Sequence, residues 1–286
     1  MVANLLKAGY PVAVWNRTMD KAAPLLDQGA TAAETPAAVA EDADVLFTMV
    51  SDGPVVAELL FERGAAEALP EDALVIDTSS ILPRTARDHA RRLAAAGKLH
   101  LDAPVSGGPS GAEQGKLAIM VGGEEEAFER GEKLLSVLGR PVRVGPPGAG
   151  QLAKLANQII VGLAIGAVAE ALLLAHAGGA DAAAVRRAMT GGFADSLILQ
   201  IHGERMLNRT FIPGGPARMH LKDLRNVLEE AKELGLDLPL TTRMHQLFQN
   251  LVEGGGGAYD HSAALLEIER MNAPARLGDR ENKLPG

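Results

Sequence analysis

Cysteine is absent from this chain, which excludes disulfides and thiolate chemistry and is compatible with a reducing compartment. Aromatic residues make up only 3%, so the 47% apolar content is carried by Ala, Val and Leu, the composition of packed helices and buried parallel strands. No cluster of Lys and Arg occurs and the formal net charge is -8, which argues against a nucleic-acid surface. No basic stretch followed by a long apolar core opens the chain, so no signal peptide is expected. The best membrane candidate, residues 159–169 between Lys154 and Glu170, falls short of the roughly 20 apolar residues a bilayer needs. A soluble, cytoplasmic protein without a membrane partner is expected. The seven histidines lack ligand-like spacing, so no metal site is expected, and His261 beside Ser262 reads as part of a helix-capping turn. Internal repeats and low-complexity segments are also missing.

What is present alternates. Apolar runs at 12–15, 45–50, 74–77 and 99–102 read as buried strands, with helix patterns at 20–28, 36–40, 54–60 and 83–96 between them. Thr35 before Pro36 suits an N-cap with proline at N1, and Gly29 and Gly97 sit where helices stop. Strands at 117–121 and 142–144, with a helix over about 124–138, extend the series. Strands spaced by helices predict an α/β fold with a doubly wound, mostly parallel Rossmann-like sheet. The pattern changes at Gly145-Pro-Pro-Gly148. Residues 151–177 form one nearly continuous helix on the order of 40 Å long, and 181–189, 196–208, 222–234, 241–253 and 262–271 also read as helices. Two domains are therefore expected, 1–147 and an all-helical 148–286. The small residues Gly162, Ala164, Gly166, Ala167 and Ala171 allow close helix approach, and so apolar a helix is expected to be buried in a homodimer or homotetramer. Residues 276–286 carry no periodic apolar pattern and are expected to form a loose tail.

Two motifs carry chemistry. Asp102-Ala-Pro-Val-Ser106-Gly107-Gly108 follows a strand, and such a turn can aim backbone N–H groups and a hydroxyl at one spot, which grips a carboxylate without a net charge. Taken alone, a Ser-Gly-Gly run is equally a surface loop. Gly148-Ala-Gly150-Gln-Leu-Ala-Lys154-Leu-Ala-Asn157-Gln158 opens the long helix. Lys154 and Asn157 share a face there, and the amide can hold the ammonium. The helix dipole and burial disfavour the charged lysine, which suits proton transfer. Taken alone, Lys154 is equally a solvated lysine, and Lys222-Asp223 an exposed ion pair at a helix start.

Together with His220-Leu-Lys222-Asp223-Leu, these motifs resemble the β-hydroxyacid dehydrogenases over nearly the whole chain. Gly191-Gly192-Phe193-Ala194, Arg209-Thr-Phe-Ile-Pro-Gly214 and Asp260-His261-Ser262-Ala263 resemble the tartronate semialdehyde reductase branch. The resemblance implies that Lys154 is the catalytic acid/base, that Ser106, Gly107 and Gly108 bind the substrate carboxylate, and that Asn157 and Gln158 place lysine and substrate. It further implies that Lys222 and Asp223 close over cofactor and active site, that Ser79 lies near the nicotinamide ribose, and that Ser51 and Asp52 line the cofactor cleft. Residues 1–147 become a dinucleotide-binding domain, and 148–286 a substrate and dimerisation domain. The expected reaction is reversible, NADP(H)-dependent reduction of a small 3-oxo acid to the 3-hydroxy acid. Alternative substrates are 3-hydroxyisobutyrate and succinic semialdehyde, and a cofactor-deficient, non-catalytic oligomer of the same fold is the alternative of a different class.

The family opens with a strand and a Gly-x-Gly-x-x-Gly turn that this chain does not show. Met1 to Gly9 matches the helix just beyond that turn, as an internal methionine taken as the start codon would produce, or a naturally shortened protein. A central strand should then be missing from the sheet, and weak nicotinamide-cofactor binding is expected of this chain. Gly215 stands where the family carries a phenylalanine near the substrate, which loosens that wall. At the end of the 12–15 strand, Asn16-Arg17-Thr18 offers a cation and a hydroxyl suited to a 2′-phosphate, so NADP(H) is preferred and NAD(H) remains possible. Arg17 alone is equally a surface arginine.

Overall fold

The computed structural model describes residues 1–286 and divides into two compact units, Met1–Lys154 and Leu155–Gly286. The first unit contains eight strands: β1 (Ala13–Val14), β2 (Thr31–Ala32), β3 (Val45–Thr48), β4 (Leu74–Asp77), β5 (Leu99–Asp102), β6 (Val105–Ser106), β7 (Leu117–Gly123) and β8 (Gly139–Gly145). Its helices are α1 (Val2–Lys7), α2 (Ala23–Leu26), α3 (Gly53–Ala57), α4 (Ala65–Ala68), α5 (Pro83–Ala95), α6 (Gly108–Gln114) and α7 (Glu125–Leu138). β3, β4 and β5 are parallel neighbours, β7 joins antiparallel to β5, and β8 runs parallel to β7.

The central strand β4 shows why the sheet is buried on both faces. Successive side chains point to opposite sides. Val75 packs with Val56, Ala86 and Leu93, whereas Leu74 and Ile76 pack with Leu101, Ala127 and Leu135. Helices α3 and α5 supply the partners on the first side, and α7 with the neighbouring strand β5 those on the second. The register aligns Thr48, Asp77 and Asp102 across the carboxyl ends of three adjacent parallel strands. In open α/β sheets that edge is where ligands bind.

The sheet breaks where a strand was expected to be missing. β1 pairs only with β2 in a separate two-stranded sheet, which leaves β3 as an edge of the six-stranded one. Two other expectations are corrected. Residues 36–40 form turns instead of a helix, although Thr35 Oγ1 does accept from Ala38 N at 3.0 Å, so the cap exists without enough following contacts to propagate. The 54–60 helix stops as α-helix at Ala57 and continues as a π-helical turn, Glu58–Glu62.

Helix α8 (Ala149–Ala177) begins in the first unit and runs into the second, followed by α9 (Ala182–Met189), α10 (Gly203–Asn208), α11 (Ala217–Glu233), α12 (Pro239–Glu253) and α13 (Ala264–Met271). The division falls inside α8, beyond the Gly145–Gly148 turn. At 29 residues, with a mean hydropathy of 2.1 over its most apolar stretch, α8 is long and apolar enough to cross a membrane by length and composition alone, as the core helix of a soluble protein can also be. Its Ile165, Val168, Ala169, Leu172 and Leu173 lie in the core with Phe211, Leu224 and Phe248, each fully buried apolar side chain contributing about 1.5–3 kcal/mol. Two of the small residues have partners within the unit: a Cβ at Gly162 would lie 2.5 Å from His220 Nε2, and one at Gly166 would collide with Met244.

The end of the chain is not a loose tail. Arg209 is 1% exposed and makes a bidentate pair with Glu269 at 2.7 and 2.8 Å. The same guanidinium donates to Leu277 O and Asn282 Oδ1, and Phe211 N and Lys283 N complete backbone bonds to Lys283 O and Arg209 O. A polar anchor replaces the missing apolar periodicity.

Candidate active site

Strand β5 ends at Asp102, and the chain returns through Ala103 and Pro104 to the short strand β6, which pairs antiparallel with β7. Ser106 closes β6, half-buried, and Gly107 and Gly108 follow at the surface. Gly107 has φ +140° and Gly108 φ +62°, values that L side chains rarely adopt, which is why this turn needs glycine before α6. The turn therefore exposes backbone amides beside a serine hydroxyl.

Lys154 comes to the same place from the far end of the unit. Its side chain is 8% exposed, and Nζ donates to the carbonyl oxygen of Val105 at 2.8 Å, one residue before Ser106. The solvated-lysine reading does not describe this geometry. An amine is thus placed one residue from the Ser106-Gly107-Gly108 turn, and a lysine beside such a turn can hold a carboxylate and move a proton at a neighbouring oxygen.

Asp102 and Gln151 set that arrangement, and neither was singled out from the sequence. The fully buried Asp102 carboxylate accepts from Gly148 N at 2.7 Å and Gln151 N at 2.9 Å, so it caps the start of α8 from the end of β5. The Gln151 side chain accepts from Ile81 N at 3.0 Å and donates to Ser79 O at 2.9 Å. Gly150 permits this closeness, because a Cβ there would collide with the carbonyl oxygens of Asp102 and Met120. Burial, reinforced by the charge of Asp77, pushes the Asp102 carboxyl up to about 6 despite its backbone hydrogen bonds. Burial likewise raises Asp77, which accepts from Thr48 Oγ1 at 2.7 Å and Ser79 N at 2.9 Å.

In the helical unit, Gln158 Nε2 donates to Asp223 Oδ2 at 2.5 Å, and Asn157 Nδ2 donates to Gln158 Oε1 at 2.9 Å. Asn157 thus orients Gln158. Lys222 Nζ lies 3.3 Å from Asp223 Oδ1. α11 starts at Ala217, upstream of the expected 222, so this pair is one turn inside the helix and mostly covered instead of exposed at its start.

The remaining expected residues follow the strand ends of the first unit. Asn16, Arg17 and Thr18 are exposed after β1, and Asn16 Oδ1 accepts from Thr18 N at 2.9 Å. Ser51 donates to Asp52 Oδ2, while Asp52 Oδ1 caps α3 through Val55 N at 3.1 Å. Ser79 is buried and its hydroxyl accepts from Val50 N at 2.9 Å, tying the ends of β3 and β4 together. A concavity of about 630 Å³ in the helical unit, lined by His176, Arg186 and Glu204, contains none of these residues.

Comparison with known proteins agrees with this layout. The family described as the NAD binding domain of 6-phosphogluconate dehydrogenase matches residues 1–145, and that described as NAD-binding of NADP-dependent 3-hydroxyisobutyrate dehydrogenase matches 148–268. The 2-hydroxy-3-oxopropionate reductase of Escherichia coli (strain K12) is 46% identical, over 95% of this chain and 93% of its own length. The crystal structure of 3-hydroxyisobutyrate dehydrogenase from Salmonella typhimurium matches with a TM-score of 0.85 at 29% identity, covering 93% of this chain and 94% of that one. A structure solved in complex with NADP+ and 2-OPP matches with a TM-score of 0.85 at 25% identity, covering 93% and 95%. The chain belongs to the β-hydroxyacid dehydrogenase family, NAD(P)-dependent oxidoreductases acting on a CH–OH group.

Proposed function

We propose that this protein catalyses the reversible reduction of a small 3-oxo acid of the tartronate semialdehyde type to a 3-hydroxy acid of the D-glycerate type, with NADP(H). The observation that carries this reading is the 2.8 Å bond from Lys154 Nζ to Val105 O, directly beside Ser106, Gly107 and Gly108. The serine hydroxyl and glycine amides hold the substrate carboxylate. The aldehyde oxygen then lies at Lys154, which donates a proton to the developing alkoxide and takes one back in the reverse direction. Within the helical unit, Gln158 is held by Asp223 and Asn157 and keeps the substrate-positioning role that the family resemblance implies. Lys222 Nζ, 3.3 Å from Asp223 Oδ1, helps to hold that carboxylate in place.

The residues fit the two ends of a dinucleotide. Arg17 and Thr18, exposed after β1, suit a ribose 2′-phosphate, and Ser51, Asp52 and Ser79 stand at the carboxyl ends of β3 and β4. When bound, the nicotinamide supplies the hydride. β1 pairs only with β2, in a sheet separate from the one that carries β3 and β4. We also infer a cytoplasmic homodimer or homotetramer, because Ile160 and Leu174 are 69% and 76% exposed on α8, in line with the exposed Ala167 and Ala171.

The test is NADPH oxidation by the purified chain at saturating cofactor with tartronate semialdehyde, beside succinic semialdehyde, 3-hydroxyisobutyrate in the reverse direction, and NADH. The highest kcat/KM is expected for tartronate semialdehyde with NADPH. A higher value for another acid reassigns the substrate, one for NADH reverses the cofactor preference, and no turnover with any pair favours the non-catalytic alternative.

A further inference from the structure

We propose that the helical unit holds a divalent transition-metal site whose ligands are His202 and His261. Their spacing of 59 residues gives no sequence signal, yet their Nε2 atoms lie 3.2 Å apart. Two imidazoles on one tetrahedral ion, each about 2.0–2.1 Å from it, set their nitrogens about 3.3 Å apart. The observed separation already has that value to within a small adjustment. The rings stand at 83° with centres 4.5 Å apart, too close for nitrogens meeting head to head, so the pair is offset and leaves a shared flank. Both side chains are only partly buried, which gives an ion and its remaining water ligands a way in.

The surroundings match what a histidine ligand needs. His202 Nδ1 faces Asp260 Oδ1 at 3.5 Å, which places a carboxylate behind the ring, on the side away from the facing nitrogens. Asp260 itself is fully buried and already committed: Oδ1 accepts from Ser262 N and Oγ at 3.0 and 2.6 Å, and Oδ2 accepts from Gly214 N at 2.9 Å with Arg205 at 3.3 Å. It orients the site without joining it. An imidazole pair suits Zn²⁺, Cu²⁺ or Ni²⁺ over Mg²⁺ or Ca²⁺, and Zn²⁺ matches the tetrahedral separation. The ion would pin the turn Ile198–His202 to the Asp260 turn, where Tyr259 O accepts from Ala217 N at the start of α11. The site is a staple at the root of the helix that carries Lys222 and Asp223, and it stands whether or not the dehydrogenase reading does.

Zn²⁺ titration of the full chain by calorimetry, and Co²⁺ titration read by its visible d–d band, test this directly. One ion per chain is expected, with a rise in melting temperature on Zn²⁺ addition. His202→Gln and His261→Gln, each confirmed folded by circular dichroism, should weaken binding by at least about tenfold, since losing even an outer-shell partner costs that much. His176→Gln, an exposed histidine elsewhere, should change nothing. Should one ligand variant fail to fold, the other carries the test. No binding at millimolar metal, or binding unaffected in a folded ligand variant, overturns the proposal.

Discussion

Replacing Asp102 with Asn isolates the charge that caps the helix bearing Lys154. In the folded chain this carboxyl titrates at about 6, against 3.8 for an ordinary aspartate, because burial and Asp77 outweigh its two backbone donors. A group with a raised folded pKa favours folding most at low pH, below its unfolded value, and that contribution is lost as pH rises through about 6. At 1.36 kcal/mol per unit, the whole effect is worth about 3 kcal/mol, of which about 2 kcal/mol disappears between about pH 4.5 and about pH 7.5. Asparagine keeps the shape and one acceptor oxygen but cannot ionise. Asp77 titrates in both proteins and largely cancels in the comparison. Urea unfolding of both proteins at the two pH values should therefore show Asp102→Asn gaining about 2 kcal/mol relative to the parent from the lower to the higher pH. Parallel pH profiles, or a relative loss, would refute the assignment of a buried, unfavourably charged cap.

Two substitutions test the packing around the site and the chain end. Arg209→Ala strips the partner from a Glu269 carboxylate in the core and releases residues 277–283, so chemical denaturation should show a loss of about 3–5 kcal/mol, and a loss under about 1 kcal/mol would contradict the anchor. Gly150→Ala forces the first turn of α8 away from the Asp102 and Met120 carbonyls, which should cost about 1–3 kcal/mol and lower kcat together, and unchanged unfolding midpoint and kcat would show the helix start to be loosely held.

Local pattern revealed the strands and the two motifs because both are written in neighbouring residues. The 74–77 and 99–102 strands came out with their bounds intact, since each is a short apolar run ended by a carboxylate. The two motifs were read together, and Lys154 Nζ is bonded to Val105 O, one residue before Ser106. What holds that pairing was not legible. Asp102 looked like the start of a turn motif, and its role as cap of a helix 46 residues later exists only once β5 and α8 are brought together. The same reason hid the His202–His261 pair and the Arg209 anchor, whose partners lie 59 and 60 residues away. Periodicity finds surfaces that bury apolar area; it is blind to long-range polar contacts that a fold creates.

The central claim is that Lys154 moves the proton at the substrate oxygen. The direct measurement is kcat for Lys154→Ala with tartronate semialdehyde and saturating NADPH, with cofactor affinity measured separately by fluorescence. The account predicts a fall of about 10²–10⁴ in kcat with NADPH affinity little changed. A variant turning over at nearly the parent rate would contradict it.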